Sequence, residues 1–284
     1  MNSGRLVTMT LIAVVAATSP VIADDDVHVS AAQVIGGVRV HEVRSPYQKG
    51  TTLIRVLIPD SVATGARVRT VYLLPVEAGV ESRYGDGLKE VREKDLHNKL
   101  GVAFVAPTFS HLPWYADHPT DPQIRQESYL LNVVIPEVER MYRVQADVNG
   151  RYLLGFSKSG WGAWSLLMRH PDQFARASAW DAPLMMTAPG KYGSGPIFGS
   201  QENFDGYCLR NLVSKNADRL KTSNRLVLTG YGNFRSEHVQ MHELLESLAI
   251  PHMYRDGPHL KHDWHSGWVE ETCRLLLEPT SEMK

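Results

Sequence analysis

The stretch Arg151-Tyr152-Leu153-Leu154-Gly155-Phe156-Ser157-Lys158-Ser159-Gly160-Trp161-Gly162-Ala163 decides the fold. An apolar strand ends at Gly155, one residue follows, then a serine, and then small residues that open a helix. A serine in such a turn occupies a strained backbone conformation, so its neighbours two before and two after must be small for the chain to pass itself. Gly155 and Ser159 are those neighbours; Ser159 stands where a second glycine is usual, and Gly160 follows it. This strand-turn-helix context makes Ser157 the candidate nucleophile. The plainer reading is a glycine-rich turn in which Ser157 or Ser159 caps the helix. In the nucleophile geometry the backbone N–H of Lys158 is one oxyanion donor. The other is expected from the loop after the apolar run 68–74, at Val76 or Glu77. A Lys158 ammonium at a helix start is electrostatically unfavourable without a partner, which a carboxylate or an anionic substrate group could supply.

Outward from this turn, short β-branched runs alternate with longer amphipathic ones. Strands are expected at 38–43 and 52–58, paired through a turn at 45–50, at 68–74 and 102–105, which are continuous apolar runs of the buried parallel kind, and at 151–154, 177–180, 226–228 and 252–254. Helical spacing covers 86–100, 127–142, 159–169, 209–220, 236–248 and 267–277, with Pro136 expected to kink the second or mark a first turn. A Gly/Pro-rich loop is expected at 188–206. The alternation predicts an α/β fold with a doubly wound, mostly parallel sheet flanked by helices and with its chemistry at the carboxyl ends of the strands.

Composition narrows the function classes. The 284 residues carry 30 basic and 31 acidic side chains and are 43% hydrophobic, which argues for a folded core and against a polyanion-binding surface. Nucleic acid is therefore not an expected partner. Two cysteines, Cys208 and Cys273, are too few for a disulfide scaffold and can be either bonded or free. Residues 6–17 read LVTMTLIAVVAA after Arg5, and Val21-Ile22-Ala23 follows. That is the pattern of an export signal over 1–23, too short to span a bilayer, leaving 24–284 as one domain. Secretion or a periplasmic location is the expectation, with membrane contact only during export.

Downstream of the serine the chain offers three histidines, His259, His262 and His265, each a candidate general base. The same spacing could instead ligate a metal, with Asp117-His118 completing the set; the expectation is nevertheless no metal and no cofactor. For the acid, the loop after 226–228 has Asn233 where an aspartate would be expected. The candidates are then Asp181, just after Trp180, and Glu237.

Leu154-Gly-Phe-Ser-Lys-Ser-Gly160, His262-Asp-Trp264 with Trp268, and Pro113-Trp114-Tyr115-Ala116-Asp117 together resemble the α/β-hydrolase superfamily, in its branch of secreted esterase D-like, feruloyl-esterase-like and mycolyltransferase-like enzymes. The resemblance implies ester hydrolysis through an acyl-enzyme, with His262 as the base and a small-molecule or glycan-linked ester as substrate. The chain departs from the pattern at 75–79, which lacks a His-Gly-Gly type oxyanion loop, and at Asn233. Trp114, Tyr115 and Trp264 are candidate substrate contacts. A rival reading is a non-catalytic glycan- or peptide-binding protein that grips its ligand with these aromatics and Trp268. Peptidase or acyltransferase chemistry on the same triad is a third reading, since a fold does not choose the acceptor.

Overall fold

The computed structural model of the protein describes residues 27–278. The export signal expected at 1–23 lies outside the described residues. Ten strands form one sheet: β1 (His28–Val29), β2 (Gln33–Ile35), β3 (Val38–Arg44), β4 (Thr51–Leu57), β5 (Thr70–Leu74), β6 (Ala103–Pro107), β7 (Arg151–Phe156), β8 (Arg176–Trp180), β9 (Leu226–Tyr231) and β10 (His252–His259). Their order is β1-β3-β4-β6-β5-β7-β8-β9-β10, with β2 also paired to β3. β1 to β4 pair antiparallel, as does β4 with β6, and every later pairing is parallel. The expected doubly wound, mostly parallel sheet is thus present, extended by an antiparallel edge.

All residues of β5, β6 and β8 are buried, as central parallel strands are when helices cover both faces; in β8 this includes Arg176, which donates to the carbonyls of Leu275 and Leu276. Side-chain alternation divides them between two cores: Tyr72 and Leu74 face one, Val71 and Leu73 the other. Cys208 belongs to the first core and Cys273 to the second, so the sheet separates them; both are buried and free. Helix Lys158–Arg169 is buried from Lys158 to Met168.

Three helices differ from their sequence pattern, one being the expected 209–220 helix, which divides into Leu209–Lys215 and Ala217–Leu220. The expected 86–100 helix divides into Gly87–Glu93 and Leu96–Leu100, because Asp95 at φ 57° leaves helical space. The expected 127–142 helix runs as Gln126–Tyr129, a wide π-type turn at Leu130–Val134, and Ile135–Met141. The wide turn accommodates Pro136, which has no N–H to donate and crowds the carbonyl one turn back. Within the expected 188–206 loop lie two short helices, Gly195–Phe198 and Gln201–Asp205. Among the described residues no helix is long and apolar enough to cross a membrane.

The register decides what meets at the carboxyl edge. Leu74 pairs with Gly155, Phe156 with Trp180, and Trp180 with Thr229. The loops that follow β5, β7, β8 and β9 therefore leave the sheet side by side.

Candidate active site

Ser157 sits between β7 and helix Lys158–Arg169 at φ 54°, ψ −130°, a conformation that costs a non-glycine residue of order 1–3 kcal/mol. Neighbouring structure enforces it. The Ser157 N–H continues the ladder onto the Trp180 carbonyl at 3.0 Å. A Cβ on Gly155 would lie 2.2 Å from the Ser159 carbonyl oxygen, so no other residue fits there. Ser159, the departure from a second glycine, has a role in the turn: its hydroxyl donates to the Phe156 carbonyl at 2.9 Å and accepts from the Phe156 N–H at 3.1 Å. It does not cap the helix, and neither does Ser157.

Asp181, at the end of β8, is fully buried with φ 41°. Its Oδ2 lies 2.5 Å from Nδ1 of His262. The carboxylate also accepts from the N–H of Asn233 at 2.8 and 2.9 Å and of Phe234 at 2.7 Å. Burial pushes its pKa up, but the bond from His262 and the N–H groups of Gly232, Phe234 and Asn233 outweigh burial and hold it below the ordinary carboxylate value. The approach requires a glycine, since a Cβ on Gly232 would come 2.7 Å from Asp181 Oδ2 and 2.8 Å from the Leu260 carbonyl oxygen. Asn233 is itself exposed; only its backbone serves the carboxylate.

Aromatic rings orient His262. Phe156, Tyr84 and Phe234 approach it at centroid distances of 5.0, 5.4 and 5.7 Å. Phe156, the residue before Ser157, thus packs directly against the imidazole. With Nδ1 on Asp181, Nε2 has no hydrogen-bond partner among the described residues.

Residues 75–79, which follow β5, lack glycine-rich character but are pinned at three points. Tyr115 Oη donates to the Pro75 carbonyl at 2.7 Å, Phe109 N–H to the Ala78 carbonyl at 2.9 Å, and Lys158 Nζ lies 3.0 Å from Glu77 Oε1. The ammonium at the helix start thus has a carboxylate, with the Tyr84 ring 5.7 Å away. Among the described residues the N–H groups of Lys158, Val76 and Glu77 donate to no protein acceptor.

Several expected residues stand elsewhere. Glu237 is not at the histidine; its Oε2 accepts the Met185 N–H at 2.8 Å, and burial raises its pKa. His259 is exposed and stacks on Tyr231 at 5.3 Å. His265 Nδ1 bonds Glu90 Oε2 at 2.8 Å. The three histidines point to three different partners and share no ligand position among the described residues, so the metal reading of their spacing fails. Trp114, Tyr115, Trp264 and Trp268 pack in the core, each no more than 2% exposed, and Trp264 also lines the cavity beside Val76 and Glu77. Trp114 meets Trp161 edge-on at 5.5 Å, and Tyr115 lies against Gly162. Trp264 and Trp268 stack at 5.1 Å beneath the His262 loop, against Phe156 and Trp180. Truncating such a side chain costs about 3–5 kcal/mol, so its first role is to hold the loops.

Sequence reasoning missed His238, whose Nε2 accepts the N–H of Ala182 at 2.8 Å. Burial pushes its pKa down to about 4, so it stays neutral and fixes the residue after Asp181. Its sequence signal is faint: one histidine among helix residues. Tyr84, edge-on to His262, was missed because the loop before helix Gly87–Glu93 has no motif.

No protein-family model matches the chain. Two curated esterase sequences of Mycobacterium tuberculosis are each 26% identical over 133 residues, 46% of this chain and 29% of their own length; the match therefore spans less than a third of those relatives. Solved structures agree over most of the chain. A ferulic acid esterase superposes with a TM-score of 0.66 at 19% identity, covering 84% of this chain and 95% of its own. The fluorophosphonate-binding serine hydrolase F of Staphylococcus aureus gives 0.69 at 15% identity, covering 88% and 100%. An S-formylglutathione hydrolase of Agrobacterium tumefaciens gives 0.68 at 14%, covering 89% and 99%.

Proposed function

We propose that this chain, which has the α/β-hydrolase fold, is a serine carboxylester hydrolase with Ser157 as nucleophile, His262 as general base and Asp181 as the acid. The observation that carries this reading is the 2.5 Å contact between Asp181 Oδ2 and His262 Nδ1, at the strand edge where Ser157 is held in a strained turn. The ionised Asp181 carboxylate can only accept, so Nδ1 carries the hydrogen that faces it and Nε2 presents a lone pair. In the reaction Nε2 takes the Ser157 Oγ proton as Oγ attacks the ester carbonyl. The negative charge that develops on the carbonyl oxygen is met by the N–H of Lys158 and of Val76 or Glu77. Collapse expels the alcohol, which receives the proton from His262, and leaves the acyl group on Ser157. Water then enters with His262 again as base, releasing the acid and regenerating the serine. Asp181 stays ionised throughout, stabilising the imidazolium, as its depressed pKa suits it to do.

The pinning of the oxyanion loop by Tyr115 and by the Lys158–Glu77 pair supports pre-organised donors in place of a flexible glycine loop. A small ester is the proposed substrate class, in keeping with the ferulic acid esterase and S-formylglutathione hydrolase folds nearby. Export through a signal at 1–23 is part of the same proposal, and amino-terminal sequencing of protein recovered outside the cytoplasm tests it. The decisive experiment is labelling with a fluorophosphonate probe alongside turnover of short-chain aryl esters. Ser157→Ala should abolish labelling and lower kcat by about 10⁴–10⁶-fold; equal labelling of both proteins would sink the assignment.

A further inference from the structure

We infer that His242, Glu246 and His252 form a divalent metal site of the zinc class that clamps helix Arg235–Ser247 to the start of β10. His242 and Glu246 are four residues apart and share one helix face, and His252 opens the neighbouring strand. One ligand atom from each lies within 4.8 Å of the other two. His242 Nδ1 is 2.7 Å from His252 Nε2, which is 3.9 Å from Glu246 Oε1. A tetrahedral zinc ion with ligands at about 2.0–2.1 Å separates them by roughly 3.4 Å, between these two spacings, so small side-chain shifts complete the site.

Proximity is not the whole argument. His252 Nδ1 lies 2.8 Å from the Ile250 carbonyl oxygen. A carbonyl can only accept, so Nδ1 carries the hydrogen and Nε2 presents its lone pair to His242 and Glu246. An imidazole backed by a carbonyl in this way is oriented as a metal ligand. It follows that the hydrogen between the two rings belongs to His242 Nδ1. On metal entry that ring passes through solvent to its Nε2–H tautomer, both imidazoles stay neutral, and no proton is released. Tyr254 stacks on His242 at 4.1 Å and 20°, fixing the ring plane. The His252 side chain is 2% exposed and that of Glu246 66%, so one ligand is locked in place and water can reach the fourth position. Two imidazoles and one carboxylate suit zinc and its first-row neighbours over magnesium or calcium.

The site is separate from the proposed triad but shares its scaffold. The same helix supplies Glu237 and His238 to the segment after Asp181, and β10 leads into the His262 loop. The metal residues would be positioning residues, not catalytic ones.

Calorimetric titration of the whole chain with zinc chloride tests this, with cobalt(II) absorption as a second readout. One ion should bind per chain, cobalt should give tetrahedral ligand-field bands, and zinc but not magnesium should raise the unfolding midpoint. His242→Ala should weaken zinc binding by at least the ~100-fold that loss of a supporting partner can reach, and Glu246→Ala by about 10-fold or more. Glu246 is exposed, so that variant keeps its fold if His242→Ala does not. His259→Ala should bind zinc as the parent does. The proposal is overturned if the parent binds no zinc, if Glu246→Ala and His242→Ala bind it unchanged, or if His259→Ala is the variant that loses it.

Discussion

The loops after β8 and after β9 contribute to one carboxylate in opposite ways. The first supplies the side chain: Asp181, fully buried, at a left-handed φ of 41°. The second supplies only backbone N–H groups, from Gly232, Asn233 and Phe234, folded around it. An anion cradled by main-chain donors does not care which side chains those donors carry, provided one of them is small enough. Asn233 therefore occupies the expected place of the acid, while the carboxylate that meets His262 comes from the adjacent strand end. The lesson is that the parallel register makes neighbouring strand ends interchangeable as sources of a functional group.

The sharpest way to break this comparison is Asp181→Asn. It should lower kcat by about 10⁴-fold with the protein still folded, since an amide favours the wrong imidazole tautomer; a loss below tenfold on an aryl ester would return the role to the β9 loop. Asp181→Asn should also remove a stability contribution. A carboxyl whose folded pKa is depressed stabilises above its ordinary value near 3.9 and loses that stability as pH falls through the lower native value.

Gly232→Ala probes the cradle. The new Cβ meets both Asp181 Oδ2 and the Leu260 carbonyl. Displacing the acid and the histidine loop by about 1 Å should cost on the order of 10²-fold in kcat, measured by the same turnover assay.

A third prediction concerns His238, which holds the residue after Asp181. Its folded pKa of about 4 lies below the ordinary value near 6.5. As pH falls from about 6.5 to about 4 the unfolded chain takes up a proton that the native one refuses. Stability should drop by up to about 3 kcal/mol over that window, visible in denaturant midpoints, and His238→Gln should flatten the dependence.

The smallest effects separate the two loops by side chain. Asn233→Ala should change activity by no more than about twofold, as an exposed substitution away from packing does. Glu237→Ala should cost about 1 kcal/mol of stability by leaving the Met185 N–H without its acceptor, with kcat little altered.

Much of this was legible in the residues. Ser157 announces itself because a strained turn demands small neighbours at fixed spacing, and local sterics are written in sequence. The β strands from 70 to 231 were legible for a similar reason: buried parallel strands must be apolar throughout. His262 emerged only through a resemblance, since three histidines at equal spacing look alike until their partners, Tyr231, Asp181 and Glu90, are in place. Between Asp181 and Glu237 the sequence favours Asp181 only slightly, for its place at a strand end, because which carboxylate meets His262 depends on contacts between distant segments. The aromatic residues misled for another reason. Trp114, Tyr115, Trp264 and Trp268 lie in segments that read as loops, yet they fill the core beneath those loops. Hydrophobic periodicity has no purchase on irregular chain.

By itself, then, the sequence determined the alternating α/β architecture, the elbow at Ser157 and the position of Lys158 beside it, all consequences of contacts within a dozen residues. Tertiary structure alone decided that Asp181 is the carboxylate at His262, that Lys158 meets Glu77, and that Tyr115 and His238 hold the loops on either side. Those pairings join residues from about 40 to more than 80 positions apart, and the strand register, not local propensity, sets which of them lie within reach of a hydrogen bond.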